Sequence, residues 1–156
     1  YMTRDLHEDG DKKWTFDYPE PKESDELGAW SSYGSGETII LTYGNGTYLS
    51  LQAQSLLAKQ GINTQVIDLK WIAPLDVKKL NSEIGTGKNV IFVEECRRTG
   101  SFAEGVVAEL AIMNPKNNYQ IHSAEDCFIP LGPAATAGLP SKESITKTVV
   151  DFVGGH

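Results

Sequence analysis

The residue types with the most chemical potential lie in one run, Glu94-Glu95-Cys96-Arg97-Arg98-Thr99-Gly100-Ser101, at the carboxyl end of a strand-like segment. Open α/β sheets place their binding crevices at such ends. Two arginines ahead of a helix N-terminus can hold a small anion, because free backbone N–H groups and the helix dipole add to the guanidinium charges. Glu94 and Glu95 oppose an anion there. They can instead pair with Arg97 and Arg98, within the chain or across a symmetric subunit contact, and the interface reading is preferred. Cys96 has the cationic neighbours that lower a thiol's pKa, but no histidine near it in sequence to act as a base.

A second candidate is Gly44-Asn45-Gly46, which follows a strand and opens a helix, with Asp68 ending the next strand at about the ribose-binding separation. A dinucleotide fingerprint needs a third glycine where helix and strand approach, and Leu49 stands there. The plain reading is a tight strand-to-helix turn. His7, His122 and His156 are isolated and lack metal-ligand spacing. His122 lies in a strand-like run and reads as a structural histidine. Asn45-Gly46-Thr47 matches a glycosylation acceptor, incidental in a chain read as intracellular. No GxSxG elbow, Walker A loop or paired carboxylate set occurs. The chain therefore reads as lacking a self-sufficient active site: no catalytic, cofactor-binding or metal residue is assigned.

The elements that must position these residues are regular after Gly36. Thr38–Tyr43 is a nearly continuous apolar run, as a strand buried on both faces requires. Leu49, Ala53, Leu56 and Leu57 give helical spacing over Tyr48–Lys59, with Gly61 as its stop. Thr64–Leu69 is a second strand. Asp76 caps a helix to Ile84, which Gly85 ends. Asn89–Glu94 is a third strand, and Ser101 with Glu104 has capping-box spacing for a helix through Met113. Tyr119–Ala124 is a fourth strand, and Ser141 opens a last helix reaching Val153. Strands alternating with helices predict an α/β domain with a mostly parallel sheet covered on both sides.

Two segments stand outside this alternation. Residues 1–36 form an acidic, irregular arm or linker, with an edge strand expected at 29–33 and the α/β domain at 37–156. Trp14, Phe16 and Tyr18 alternate with polar residues there, which suits an extended piece packed on this domain or on a neighbour. The second is the apolar connector Phe128-Ile129-Pro130-Leu131-Gly132-Pro133-Ala134. Its prolines predict a rigid extended strap rather than a helix. This strap marks the chain as a packing and docking module.

Composition narrows the partners. With 156 residues one domain with a real core is expected. A net charge of −7 and a pI near 4.9 argue against nucleic acid. No apolar run is long enough to span a bilayer, and no signal segment opens the chain. Cys96 and Cys127, outside any CxxC spacing, favour a reduced compartment. The start at Tyr1 suggests a piece of something longer.

Read in order, Tyr43-Gly44, Val66-Ile67-Asp68-Leu69, Ala73-Pro74-Leu75-Asp76, Glu94-Glu95 with Thr99-Gly100-Ser101-Phe102-Ala103-Glu104, and Phe128-Ile129-Pro130 resemble the C-terminal domain of the transketolase superfamily. Within it, the chain is most similar to the beta portion of the thiamine-dependent first component of 2-oxoacid dehydrogenase complexes, over about Ala29–Val153. The stretch Asp126–Pro133 favours that branch over transketolases proper and deoxyxylulose-phosphate synthases. The resemblance implies a three-layer α/β/α fold with a mixed five-stranded sheet whose first strand is antiparallel. It implies thiamine diphosphate and magnesium held by upstream domains of a parent enzyme, and none in this portion. It implies as partners those upstream domains or an alpha subunit, a second copy of the chain, and the dihydrolipoyl acyltransferase. Glu95, Arg97, Arg98 and Phe102 become the candidate interface. The parent would be an oxidoreductase of the cytoplasm, or of the mitochondrial matrix in a eukaryote, using pyruvate or a branched-chain 2-oxo acid. Two departures stand out: residues 5–27 are longer and more acidic than the usual connector, and Ser101 replaces a second glycine.

Overall fold

The computed structural model describes residues 24–155. The arm up to residue 23, with its aromatic alternation and His7, and the terminal His156 lie outside the described residues. Five strands, β1 (Trp30–Gly34), β2 (Thr38–Thr42), β3 (Thr64–Leu69), β4 (Asn89–Arg97) and β5 (Asn118–Ala124), form one sheet in the order β1-β3-β2-β4-β5. The pairs β2–β3, β2–β4 and β4–β5 are parallel, while β1 runs antiparallel to β3, with Trp30 opposite Leu69. The chain thus enters the sheet at the edge where the parallel strands end.

Why β2 holds the centre is written in its side chains. All five of its residues are buried, and alternate ones serve opposite layers. Ile39 and Leu41 join Ile67, Phe92 and Val90 beneath α2 (Val77–Ile84) and α3 (Phe102–Met113). Ile40 joins Val66, Ile91 and Val93 beneath α1 (Asn45–Ala58) and α4 (Lys142–Gly154). Each helix contributes one apolar stripe: Leu49, Ala53 and Leu57; Leu80 and Ile84; Ala103, Val106 and Leu110; Ile145 and Val149. Full burial of each large side chain contributes about 1.5–3 kcal/mol. The three-layer α/β/α arrangement with an antiparallel first strand is the one expected.

The caps follow the chemistry of their residues, with corrections. The Asp76 carboxylate accepts the Lys79 N–H at 2.9 Å, and Ser141 with Ser144 makes a reciprocal capping box. The box expected at Ser101 and Glu104 is only half made. Ser101 Oγ accepts the Glu104 N–H at 3.4 Å, but the Glu104 carboxylate takes the Gly100 N–H at 2.9 Å instead of the Ser101 N–H. Helix α1 begins at Asn45, three residues before the expected Tyr48, because Gly44 at φ 58° makes the strand-to-helix turn at once.

Two segments differ from their expectations more substantially. Strand β4 continues to Arg97 rather than stopping at Glu94, so the first half of the run Glu94–Ser101 is strand. Its pairing with β5 jumps from Val93–His122 to Arg97–Ala124, which sets Glu94, Glu95 and Cys96 against Ser123 alone. Such a bulge re-aims the side chains it carries. The strap is not extended throughout either: Gly132–Ala134 winds into one 3-10 turn. Proline is tolerated in a first helical turn, where its missing N–H has no partner to lose, and Gly132 at φ 68° allows the approach. The Glu125 N–H donates to the Gly138 carbonyl at 3.1 Å, closing residues 125–138 into a loop at the carboxyl edge.

Candidate functional site

The candidate residues converge on the carboxyl edge of β2, β3 and β4, but on opposite faces of the sheet. Glu94 follows Phe92 onto the face covered by α3. It is fully buried, with the Tyr43 hydroxyl donating to its Oε2 at 3.2 Å and no partner for Oε1. Tyr43, Phe92 and Phe102 meet edge to face at centroid distances of 6.0–6.3 Å, the preferred geometry for aromatic rings. Burial first, then the charge and hydrogen bond of Glu94, push the Tyr43 phenol up to about 12. A phenol so held is a hydrogen-bond donor across the working pH range, not a base.

Glu95 turns to the other face, where its Oε2 accepts the Asn45 Nδ2–H at 3.1 Å. Arg97 and Arg98 are exposed. Among the described residues neither pairs with Glu94 or Glu95, so the expected internal ion pairs are not made; Arg97 Nε donates to the Thr99 carbonyl at 3.2 Å instead. The bulge is the reason, because it separates the directions in which consecutive side chains leave the strand. Phe102 stands half-buried rather than free. One side of its ring packs on Tyr43 and Phe92, and another lines an apolar groove of about 270 Å³ with Ile72, Pro74 and Val106.

At both anion candidates several donors are engaged from within the chain. At the turn before α3, Asp126 accepts the Thr99 N–H at 3.2 Å and also the Thr99 hydroxyl, while Glu104 takes Gly100. These hydrogen bonds hold the Asp126 carboxyl below the usual carboxylate range. At the first turn of α1, Asp68 Oδ1 accepts the Thr47 hydroxyl at 2.7 Å, tying β3 to α1 at the position the ribose reading assigns to a ligand. Gly46 has a packing reason: a Cβ there would lie 2.2 Å from Thr42 Oγ1 and 3.4 Å from the Val93 carbonyl.

His122 sits between β5 and α4. Its Nε2 faces Ser144 Oγ at 3.0 Å and its Nδ1 faces Thr148 Oγ1 at 2.9 Å. Burial lowers its pKa, so it is held neutral, in agreement with the structural reading. Cys96 and Cys127 are both exposed free thiols. Among the described residues no group of three His, Cys, Asp or Glu side chains converges where a metal ion could sit, and no helix is long and apolar enough to cross a membrane. Sequence reasoning named Tyr43 and Asp126 only within motifs and gave neither a role, because their ties to Glu94 and Thr99 are long-range and leave no local pattern.

Comparison with known proteins agrees with this geometry. The family model for the transketolase C-terminal domain matches residues 34–151. The beta subunit of the pyruvate dehydrogenase E1 component of Bacillus subtilis (strain 168) is 30% identical over 134 residues, 83% of this chain and 41% of the relative. The corresponding subunit of Staphylococcus aureus (strain N315) is 29% identical over 133 residues, with the same two coverages, 83% and 41%. Among solved structures, a split-gene transketolase in an inactive beta4 tetramer superposes with a TM-score of 0.71 at 23% identity, covering 86% of this chain and 44% of that one. The 2-oxoglutarate:ferredoxin oxidoreductase of Magnetococcus marinus gives 0.58 at 19% identity, covering 80% and 20%. The two structural likenesses concern the fold alone. The chain spans about two fifths of the length of the curated relatives it matches.

Proposed function

This chain belongs to the transketolase C-terminal domain family, and we propose that it is the assembly and docking domain of a thiamine diphosphate-dependent 2-oxoacid dehydrogenase. The observation that carries the reading is its similarity, over 83% of its length, to beta subunits of pyruvate dehydrogenase. The parent enzyme decarboxylates a 2-oxo acid, pyruvate or a branched-chain one, and passes the acyl group to a lipoyl arm in the cytoplasm or the mitochondrial matrix. Thiamine diphosphate supplies the carbanion stabilisation for that chemistry and is held, with magnesium, by the upstream domains. This chain's residues build contacts: Arg97 and Arg98 at a subunit contact, Phe102 at its margin, and a docking surface for the acyltransferase. The engaged donors at Thr47, Thr99 and Gly100 disfavour the alternative of a nucleotide or anion site at Gly44–Gly46 or Arg97–Ser101.

The test is sedimentation of this chain, alone and mixed with the peripheral-subunit-binding domain of a matching acyltransferase. A self-associated species that binds the partner is expected. A monomer that ignores it would refute docking by these residues. No turnover and negligible thiamine diphosphate binding are expected of the chain by itself.

A further inference from the structure

The two ends of the sheet are unequal. Among the described residues eight large apolar side chains are exposed, and six of them, Leu27, Trp71, Ile72, Phe128, Ile129 and Leu131, sit on segments at the carboxyl edge. Leu27 precedes β1, which starts opposite the end of β3; Trp71 and Ile72 follow β3; the other three follow β5. Only Ile112 and Met113, at the end of α3, lie toward the amino edge. Phe128 is 99% exposed and Leu131 92%. Their loop is nevertheless held in place, closed by the Glu125–Gly138 hydrogen bond and pinned to the β4–α3 turn by Asp126 on Thr99. A held loop presenting fully exposed Phe and Leu is a surface awaiting a partner, since water disfavours it and its order is already in place. The six together offer several hundred Å² of apolar area, against the ~800 Å² per partner that a stable interface buries.

The path of the chain says what covers this edge. Residues before 24 join the described fold at the same edge, where Asp25 is held by Lys70 at 2.8 Å beside Trp71. From β1 to β5 the sheet has four inter-strand steps, about 19 Å at ~4.8 Å each. A small domain is about 30 Å across. A body tethered to the β1 corner through residues 1–23 therefore has the reach to cover the strap on the far side. We propose that the Phe128–Leu131 strap is the docking surface for the upstream portion of the same parent polypeptide, which covers the whole carboxyl edge. This rests on the reading of the chain as one domain of a longer thiamine enzyme.

The parent enzyme with Phe128→p-benzoylphenylalanine is irradiated and the adduct mapped by mass spectrometry. Leu131→p-benzoylphenylalanine is a second probe of the strap, and Ile112→p-benzoylphenylalanine a control at the other edge. Both strap probes are expected to shift into an intramolecular adduct with sequence upstream of this chain, and the control is not. Adducts to a second copy of residues 24–155, to the acyltransferase, or to no protein at all would each overturn the proposal. A thiamine diphosphate titration of the unmodified parent separates the two readings. Its failure alone refutes the enzyme assignment, whereas a wrong or missing adduct in a thiamine-binding parent refutes only the strap.

Discussion

Replacing Gly46 by alanine tests whether that glycine is there for packing. Its Cβ would fall 2.2 Å from Thr42 Oγ1, more than 1 Å inside ordinary contact, and Thr42 is fully buried. Rotating Thr42 only exchanges hydroxyl for methyl, because a β-branched side chain fills both directions. Overpacking of this kind costs about 1–3 kcal/mol, while alanine in place of glycine in a helix returns up to about 1 kcal/mol. Gly46→Ala is thus expected to destabilise by about 1–2 kcal/mol, lowering Tm by roughly 4 °C per kcal/mol in a domain of this size. Thr42→Ala removes the offending oxygen, which has no hydrogen-bond partner to lose, and leaves Thr42 Cβ 3.6 Å from the new methyl. In that background the same change is expected to be neutral or stabilising by up to about 1 kcal/mol, a coupling of about 1–3 kcal/mol. Urea or thermal unfolding of the four proteins, followed by far-ultraviolet circular dichroism, measures it. If Gly46→Ala costs the same in both backgrounds, the packing explanation is wrong, and a ligand-facing role for Gly46 returns.

Two further outcomes follow from buried titratable groups. Because burial depresses the His122 pKa from 6.5, the unfolded chain binds its proton first as pH falls. Stability is therefore full above pH ~6.5 and is lost as pH drops toward the lower folded-state value. His122→Gln is expected to flatten that part of the stability–pH curve, and an unchanged difference between pH 7 and pH 5 would refute the assignment. Tyr43 behaves in the opposite sense: its folded-state pKa of about 12 lies above the ordinary 10.0, so its contribution is present below pH 10 and lost between those values. Glu94→Gln removes the carboxylate's charge, so a spectrophotometric phenolate titration should bring Tyr43 down, though not to 10.0, because burial is the larger cause. No movement would mean that burial alone sets it.

Local and periodic features are legible in the chain. The Thr64–Leu69 strand, the Asp76 and Ser141 caps and the layered alternation of Ile39, Ile40 and Leu41 depend on side chains a few residues apart, so the chain displays them directly. The ordered motifs also carried the family, because a shared fold constrains many separated short runs at once. Where the candidate side chains point was settled by tertiary structure. A bulge between β4 and β5 sends Glu94 beneath Phe102 and Glu95 toward Asn45, undoing the ion pairs that adjacency suggested. Asp126 fills the turn that the arginines seemed to prepare for an anion, across 27 residues of sequence. The concentration of exposed apolar side chains at one edge of the sheet likewise appears only once an antiparallel first strand brings Leu27 to the edge that carries Trp71. In each case the partner is supplied by strand order and register, and those are fixed by the packing of the whole sheet rather than by any window of the chain.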